Sequence, residues 1–402
     1  MTSPPASYLD LGDLGLDRGG HLLLKRALAA MVAGDVLDVT GGSPELPVHL
    51  RAWCRAQGHR LDWPPDATAG KVARGSAADD RWRGAEPAGN ADPSAPDALA
   101  GHAPARWGLA ARGALVEAGA PEFRFPLDTR EAVWTDLAPS IYRQAVAAQW
   151  DPATAVDWDE PFELDPDVEG AVVQVMTYLI ENENAALVVP ARFLGQVHPH
   201  FREVVGVLAV QVADEARHVE VFTRRASLRG GRPGLSSAGG QASLLTLLEE
   251  PDFALAHFLL SVLGEGTFLA LLSFLERHAP DPVTRRITHL ALADEARHVA
   301  FGVAHLEAVL AADPGLRPRL ATAVRRRHGA LGHTAGLNAE VFDALVLLAA
   351  GSWDPTALAD GFAAVQALEA EMADGRRRRM VRLGFTAGEA AELSELHTRN
   401  FM

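Results

Sequence analysis

The pentapeptide Asp-Glu-Ala-Arg-His occurs twice in this chain, at 214–218 and at 294–298. Each copy contains a Glu-x-x-His pair, Glu215/His218 and Glu295/His298. Positions three apart lie on one face of a helix, so each pair aims a carboxylate and an imidazole at one point. Two such pairs, joined by one Glu from each of two further helices, form the ligand set of a dinuclear carboxylate site in a four-helix bundle. The repeat therefore predicts a mainly α-helical fold in which four helices converge on one buried cluster. A single Glu-x-x-His arises easily by chance. Two copies of the same five residues, each preceded by a matching core Glu, do not.

The upstream carboxylates follow from helical faces. Glu265 lies in Leu263-Gly264-Glu265-Gly266-Thr267-Phe268, apolar on nearly every side. A lone buried carboxylate is costly unless it is paired or bound to metal. Glu265 precedes Glu295 by 30 positions, enough for one helix, a turn and a return to the same level. The first half offers two candidates, Glu181 and Glu183. Glu183 continues the apolar face of Val172, Met176, Ile180 and Leu187, whereas Glu181 falls toward Thr177 and Asn184. Glu183 precedes Glu215 by 32 positions, close to the spacing of the other half, and is preferred, with Glu181 as the alternative.

The predicted metal ligands are thus Glu183, Glu215, His218, Glu265, Glu295 and His298, with the four carboxylates at the catalytic centre. Oxygen and imidazole nitrogen suit iron or manganese, and four negative charges offset two divalent cations. Without metal, such groups in a core would repel one another and shift their pKa values. Asp214 and Asp294 immediately precede the two repeated Glu residues. A ligating imidazole usually donates its second N–H to a carboxylate, so Asp214 is predicted to hold His298 and Asp294 to hold His218. Arg217 and Arg297 would offset those charges. Elsewhere, His198 and His200 are expected at the surface. The arginine runs at 325–327 and 376–379 read as solvated last turns that complement a helix dipole. Thr267 reads as packed core.

At 402 residues and 48% hydrophobic content, the chain can build two domains and a sizeable core. Its formal charge of −15 argues against nucleic acid as a partner. Cys54 is the only cysteine, so neither an intrachain disulfide nor a thiolate cluster is available. It reads as a small buried core residue. The first 20 residues lack the basic-then-apolar pattern of a signal peptide. The apolar run 254–263, interrupted by His257, is too short for a membrane span. A cytoplasmic protein with no membrane partner is expected.

Three regions follow from the pattern. Residues 8–63 read as a small α/β unit, with a helix over 22–31, a strand over 35–40, a helix opened by Ser43 and Pro44, and a second strand over 59–63. Residues 64–105, rich in Ala, Gly, Pro, Asp and Ser, read as a flexible linker. Residues 106–402 read as the helical domain, with helices over 136–149, 167–195, 198–228, 242–276, 281–312, 315–332, 339–350, 355–380 and 386–400.

The Asp-Glu-x-Arg-His form, with the two core Glu residues, resembles the ferritin-like di-iron carboxylate superfamily, especially the bacterial multicomponent monooxygenases and the ribonucleotide reductase small subunit. The lead-in Ala148-Gln149-Trp150-Asp151-Pro152, with Asp157-Trp158, is similar to segments preceding the bundle in oxygenase-like members. This resemblance spans about residues 136–330. It implies a ferritin-like four-helix bundle with extra helices, two iron ions (or manganese) as cofactor, and dioxygen as co-substrate. Two departures narrow it. The stretch Val219-Glu220-Val221-Phe222-Thr223 has no Tyr, which argues against a tyrosyl-radical role. The third His of the arylamine N-oxygenases falls at Ala291 here, with His289 out of register.

The N-terminal unit resembles the TusA-like sulfur-carrier family through Leu9-Asp10, Gly15-Leu16, Gly34-Asp35-Val36-Leu37 and Trp53-Cys54-Arg55. The family's Cys-Pro-x-Pro is replaced by Asp17-Arg18-Gly19-Gly20-His21, so the unit reads as a degenerate carrier kept for docking a protein partner or covering an entrance.

The expected function is a non-haem di-iron oxygenase or oxidase that hydroxylates, desaturates or N-oxygenates a small organic substrate. No flavin or nicotinamide fingerprint is present, so a separate electron-transfer protein is expected, and a homodimer fits the long helical faces. The alternatives are a manganese- or iron-dependent catalase or peroxidase, and a non-enzymatic metal-binding or scaffold protein.

Overall fold

The computed structural model describes residues 8–95, 98–331 and 339–397. The chain divides into two compact units. One runs through Ala88 and adds Arg112–Pro121; the other comprises Gly89–Ala111 and Glu122 onward.

The first unit contains β1 (Tyr8–Asp10), α1 (Gly20–Ala29), β2 (Val36–Thr40), α2 (Leu46–Gln57), β3 (Arg60–Asp62), β4 (Ala69–Ala73), α3 (Ala77–Arg81), β5 (Glu86–Pro87) and β6 (Leu115–Val116). Four strands form one sheet in the order β1-β2-β4-β3, with β1 parallel to β2 and the other pairs antiparallel. Alternation in β2 buries Leu37 and Val39 against Leu24, Leu28, Leu46, Leu50, Cys54 and Val72. Burial pushes the Cys54 thiol up to about 11, which suits an inert core residue. The helix predicted to open at Ser43-Pro44 begins at Leu46, because those residues form a turn closed by Leu46 N donating to Ser43 O at 3.0 Å.

The segment 64–105 is not simply a linker: β4 pairs with both β2 and β3 from within it. Its sequence, Ala-Gly-Lys-Val-Ala, has a single β-branched residue, so local propensity gives little strand signal. Gly70 is required by packing, since a Cβ there would lie 2.1 Å from the Trp63 ring.

In the second unit the helices are α4 (Arg130–Val133), α5 (Ala138–Ala147), α6 (Pro166–Leu194), α7 (Arg202–Ser227), α8 (Ala238–Leu248), α9 (Phe253–His257), a π-helical segment (Phe258–Glu265), α10 (Gly266–His278), α11 (Pro282–Ala312), α12 (Leu316–Leu331), α13 (Ala339–Ala350), α14 (Pro355–Arg382) and α15 (Ala387–His397). The four long elements α6, α7, the α9–π–α10 rod and α11 form a ferritin-like bundle, with α6 on α7, α10 on α11 and α7 on α11. The helix predicted over 242–276 is broken at 249–252. Pro251 lacks an N–H there, and the Asp252 side chain caps the next helix by accepting from Leu255 N at 3.0 Å. Residues 398–400 of the predicted last helix lie outside the described residues. Phe253–His278 is long and apolar enough to cross a membrane by composition, and 89% of its most apolar window is buried inside the protein.

Candidate metal centre

Long helices with strong caps set the levels of the site. Asp165 accepts from Asp167 N at 2.9 Å to open α6, and Asp281 accepts from Thr284 N at 2.7 Å to open α11. Glu183 on α6, Glu215 and His218 on α7, Glu265 at the end of the π segment, and Glu295 and His298 on α11 then meet in the bundle core, each at most 5% exposed. Their ligand atoms fall into two groups, each within 4.8 Å: Glu183, Glu215, His218 and Glu295; and Glu215, Glu265, Glu295 and His298. Glu215 and Glu295 belong to both. Glu181 is only half-buried and belongs to neither.

Both histidines turn Nδ1 into the cluster. His218 Nδ1 lies 3.1 Å from Glu215, 3.4 Å from Glu295 and 3.7 Å from Glu183. His298 Nδ1 lies 3.0 Å from Glu215 and 3.5 Å from Glu295. The other ring nitrogens are held by the aspartates in the crossed pattern. His218 Nε2 lies 3.2 Å from Asp294, and His298 Nε2 lies 3.2 Å from Asp214. Arg217 donates to Asp214 at 2.5 Å and to Asp294 at 3.2 Å, and Arg297 pairs with Asp294.

The residues fit two metal ions by a direct test. Glu183 Oε1, Glu215 Oε1, Glu265 Oε2, both Glu295 oxygens and His298 Nδ1 are buried without a well-aligned hydrogen bond. Buried polar atoms are normally satisfied, and these six belong to residues of the two overlapping groups, a donor set whose chemistry fits two cations. The electrostatics agree. Burial, with Glu215 and Glu295 nearby, pushes Glu183 well above the usual carboxylate range. Burial and Glu295 do the same to Glu265. Burial also raises Glu215, but His298 and His218 outweigh it and hold that carboxyl below its ordinary value. Burial lowers both imidazoles, yet the surrounding carboxylates prevail and raise them well above their usual range. Burial similarly raises Asp294, but His218, Trp150 and Arg297 bring it down to about 2. The protein alone thus holds its carboxylates together with protons that metal ions would displace.

Several contributors escape the sequence reading. Gln211, one turn before Glu215, donates Nε2 to Glu265 Oε1 at 2.8 Å. Its i−4 spacing from Glu215 is a usable signal. Gln149 donates to Asp214 and Trp150 Nε1 to Asp294, both at 2.8 Å, so the lead-in before the bundle anchors the aspartates.

The arginine runs are solvated only in part: Arg325, Arg326 and Arg378 are exposed, whereas Arg327, Arg376 and much of Arg379 turn inward. Arg376, 1% exposed, donates to Thr267 Oγ1 at 3.2 Å, and Thr267 in turn donates to Leu263 O at 2.5 Å. Arg379 donates Nε to Val262 O at 2.8 Å. Both therefore support the backbone that carries Glu265. Arg327 is also buried. His198 and His200 are buried rather than superficial: His198 accepts from His200 N at 3.1 Å, and His200 accepts from Ala100 N at 3.0 Å. In each case a loop or helix distant in sequence covers the residue, which local pattern does not reveal.

No family model and no curated protein matches the chain. Among solved structures, it is similar to an R2-like ligand-binding oxidase variant with anaerobically reconstituted Mn/Fe cofactor, at 17% identity over 61% of this chain and 94% of that one, with a TM-score of 0.44. It is also similar to the R2-like ligand-binding oxidase from Sulfolobus acidocaldarius, at 15% identity over 60% of this chain and 92% of that one, with a TM-score of 0.41.

Proposed function

We propose that this protein is a non-haem dinuclear-metal oxidoreductase that uses dioxygen to hydroxylate, desaturate or N-oxygenate a small organic substrate. The observation that carries the reading is the pair of overlapping ligand groups, sharing Glu215 and Glu295, beside a cavity with apolar walls. A bound pair of iron ions, or manganese in their place, would supply the electrons and Lewis acidity for dioxygen reduction. Glu215 and Glu295, common to both groups, would help hold either ion; Glu183 with His218, and Glu265 with His298, would complete the two donor groups. Asp294 and Asp214 fix the imidazoles so that Nδ1 faces the centre. Gln211 holds one oxygen of Glu265. Leu247, Leu260 and Phe268 line the cavity and keep water from the reacting end of the substrate.

Repeated turnover calls for electrons from a separate protein. The β1–α1–β2–α2–β3–β4 unit is a candidate docking module, its topology compatible with a degenerate sulfur-carrier fold. Anaerobic loading with ferrous iron followed by exposure to oxygen tests the reading: oxygen uptake of about one molecule per pair of irons is expected. Rapid peroxide disproportionation by manganese-loaded protein, with no oxygen uptake by the iron form, would replace this reading with a catalase.

A further inference from the structure

A separate cavity lies wholly within the first unit. It encloses about 440 Å³ and is walled by α1, the end of α2, His59, Arg74 just after β4, and α3 with Trp82. That volume falls in the range of small-molecule sites. Lys25, Arg74 and Arg81 line it, and among the described residues no carboxylate does. In a chain of formal charge −15 this is a basic hollow.

Its frame is fixed by hydrogen bonds. Arg74 donates Nε to Leu28 O at 3.0 Å and both terminal nitrogens to Asp79, at 2.6 and 2.7 Å. It thereby ties α1 to α3. Gly75 N donates to His59 Nδ1 at 3.0 Å, and a Cβ at Gly75 would lie 1.8 Å from Gly58 O. This close approach needs glycine, and it settles the tautomer. With Nδ1 accepting, the neutral ring carries its proton on Nε2. Burial, then Arg74, lowers His59 below its ordinary value, which keeps the ring neutral at pH 7. Arg81 bonds Glu117 through Nε and Nη2, and its guanidinium lies 5.4 Å from the centroid of the Trp82 ring. Trp82 is 43% exposed. Lys25 is exposed and has no carboxylate partner among the described residues.

The three cations therefore differ. Arg74 and Arg81 are already engaged in two-bond pairs with carboxylates, so neither is free as an unpaired planar fork. Lys25 remains as a point charge, and the His59 Nε2–H adds a single donor. Separate donors of this kind suit the several oxygens of a phosphate better than the paired oxygens of a carboxylate. Trp82 offers a flat face to a ring. We propose that this cavity binds an aromatic phosphomonoester, its phosphate met by Lys25 and the His59 N–H and its ring laid against Trp82. The lining residues all belong to the first unit and the six predicted metal ligands to the second, so the claim does not depend on the oxidase reading.

The test uses the full chain, with and without metal. Flavin mononucleotide, adenosine monophosphate and 1-naphthyl phosphate are compared with riboflavin, adenosine and 1-naphthol by calorimetry, and inorganic phosphate is a further probe. At least one ester should bind about tenfold more tightly than its neutral counterpart, the effect of one charge-assisted hydrogen bond. That preference should shrink as ionic strength rises. Lys25→Gln should remove most of it, and Trp82→Ala should weaken both members of the pair. Equal binding within every pair, no binding of any ester, or inorganic phosphate binding as tightly as the esters would each overturn the proposal. So would ester binding that vanishes with the metal, which would place the ligand at the metal centre, or binding unchanged in both variants. Should a variant fail to fold, the wild-type comparison of esters, neutral counterparts and inorganic phosphate in metal-free protein decides alone.

Discussion

The two halves of the bundle carry the same motif and build it differently. In the first, Glu183 sits within the regular 29-residue helix α6. In the second, Glu265 ends an eight-residue π-helical segment. Gln211 occupies the position four before Glu215, and its counterpart before Glu295 is Ala291. The result is asymmetric, because Gln211 crosses over to hold the carboxylate of the irregular half. That half also has external supports: Arg379 on Val262 O, and Arg376 through Thr267. It relies on close backbone approach as well, since a Cβ at Gly302 would meet Ser261 Cβ at 2.3 Å. In the regular half, Glu183 is placed by the unbroken periodicity of α6 and its Asp165 cap. The irregular half needs partners from α7, α11 and α14. A π segment widens the helix and re-aims one side chain, a device that recurs at functional sites.

Breaking the symmetry of the ligand set should give the largest effect. Glu295→Ala removes a group common to both metal positions, so bound metal should fall from about two per chain to well under one. Glu183→Ala and Glu265→Ala should each leave about one, read by elemental analysis of purified protein. Equal and complete loss in all three would erase the distinction between shared and single carboxylates.

A smaller effect should be confined to the irregular half. Gly302→Ala forces Ser261 and the π segment apart, at a cost of about 1–3 kcal/mol. Metal affinity should weaken at the Glu265/His298 position while the Glu183/His218 position keeps its own, which titration resolved into two steps would reveal. Arg379→Leu leaves Val262 O without its donor and should lower stability by about 1–3 kcal/mol in denaturant unfolding.

The buried imidazoles His257 and His305 sharpen the comparison through pH. Their Nδ1 atoms lie 3.0 Å apart, and His305 Nε2 donates to Ala132 O at 2.9 Å. Burial lowers His305 from 6.5 to about 4, and burial with His305 nearby lowers His257 further below its usual value. The unfolded chain therefore takes up these protons at higher pH than the folded chain does. Stability from their neutral burial is complete above about 6.5 and declines as pH falls toward 4, by about 3 kcal/mol for His305. His305→Gln should flatten the pH dependence of the melting temperature across that window. An unchanged slope would remove this pair from the account.

The sequence reading reaches the regular parts of the molecule and stops at the irregular ones. Glu215, His218, Glu295 and His298 were legible because three-residue spacing is a property of one helix. Glu183 was separable from Glu181 because apolar periodicity extends through α6. The crossed aspartates followed from the chemistry of a ligating imidazole. By contrast, the π segment has no periodic signature of its own, and nothing near Arg327, Arg376 or Arg379 in sequence announces the helices that bury them. Strand β4 was hidden for a similar reason: Gly70 and Val72 are fixed by pairing and by Trp63, not by local propensity. The break at 249–252 was visible in Pro251 and Asp252, yet the apolar pattern on either side masked it.

The central claim is that six side chains on four helical elements hold two metal ions. Its most direct test is the metal content per chain of protein produced in medium replete in iron and manganese, with Glu215→Ala alongside. The account predicts about two iron or manganese ions per wild-type chain and loss of most of both in the variant. Wild-type protein that is folded but carries no stoichiometric metal, or a Glu215→Ala variant that keeps its full complement, would contradict it.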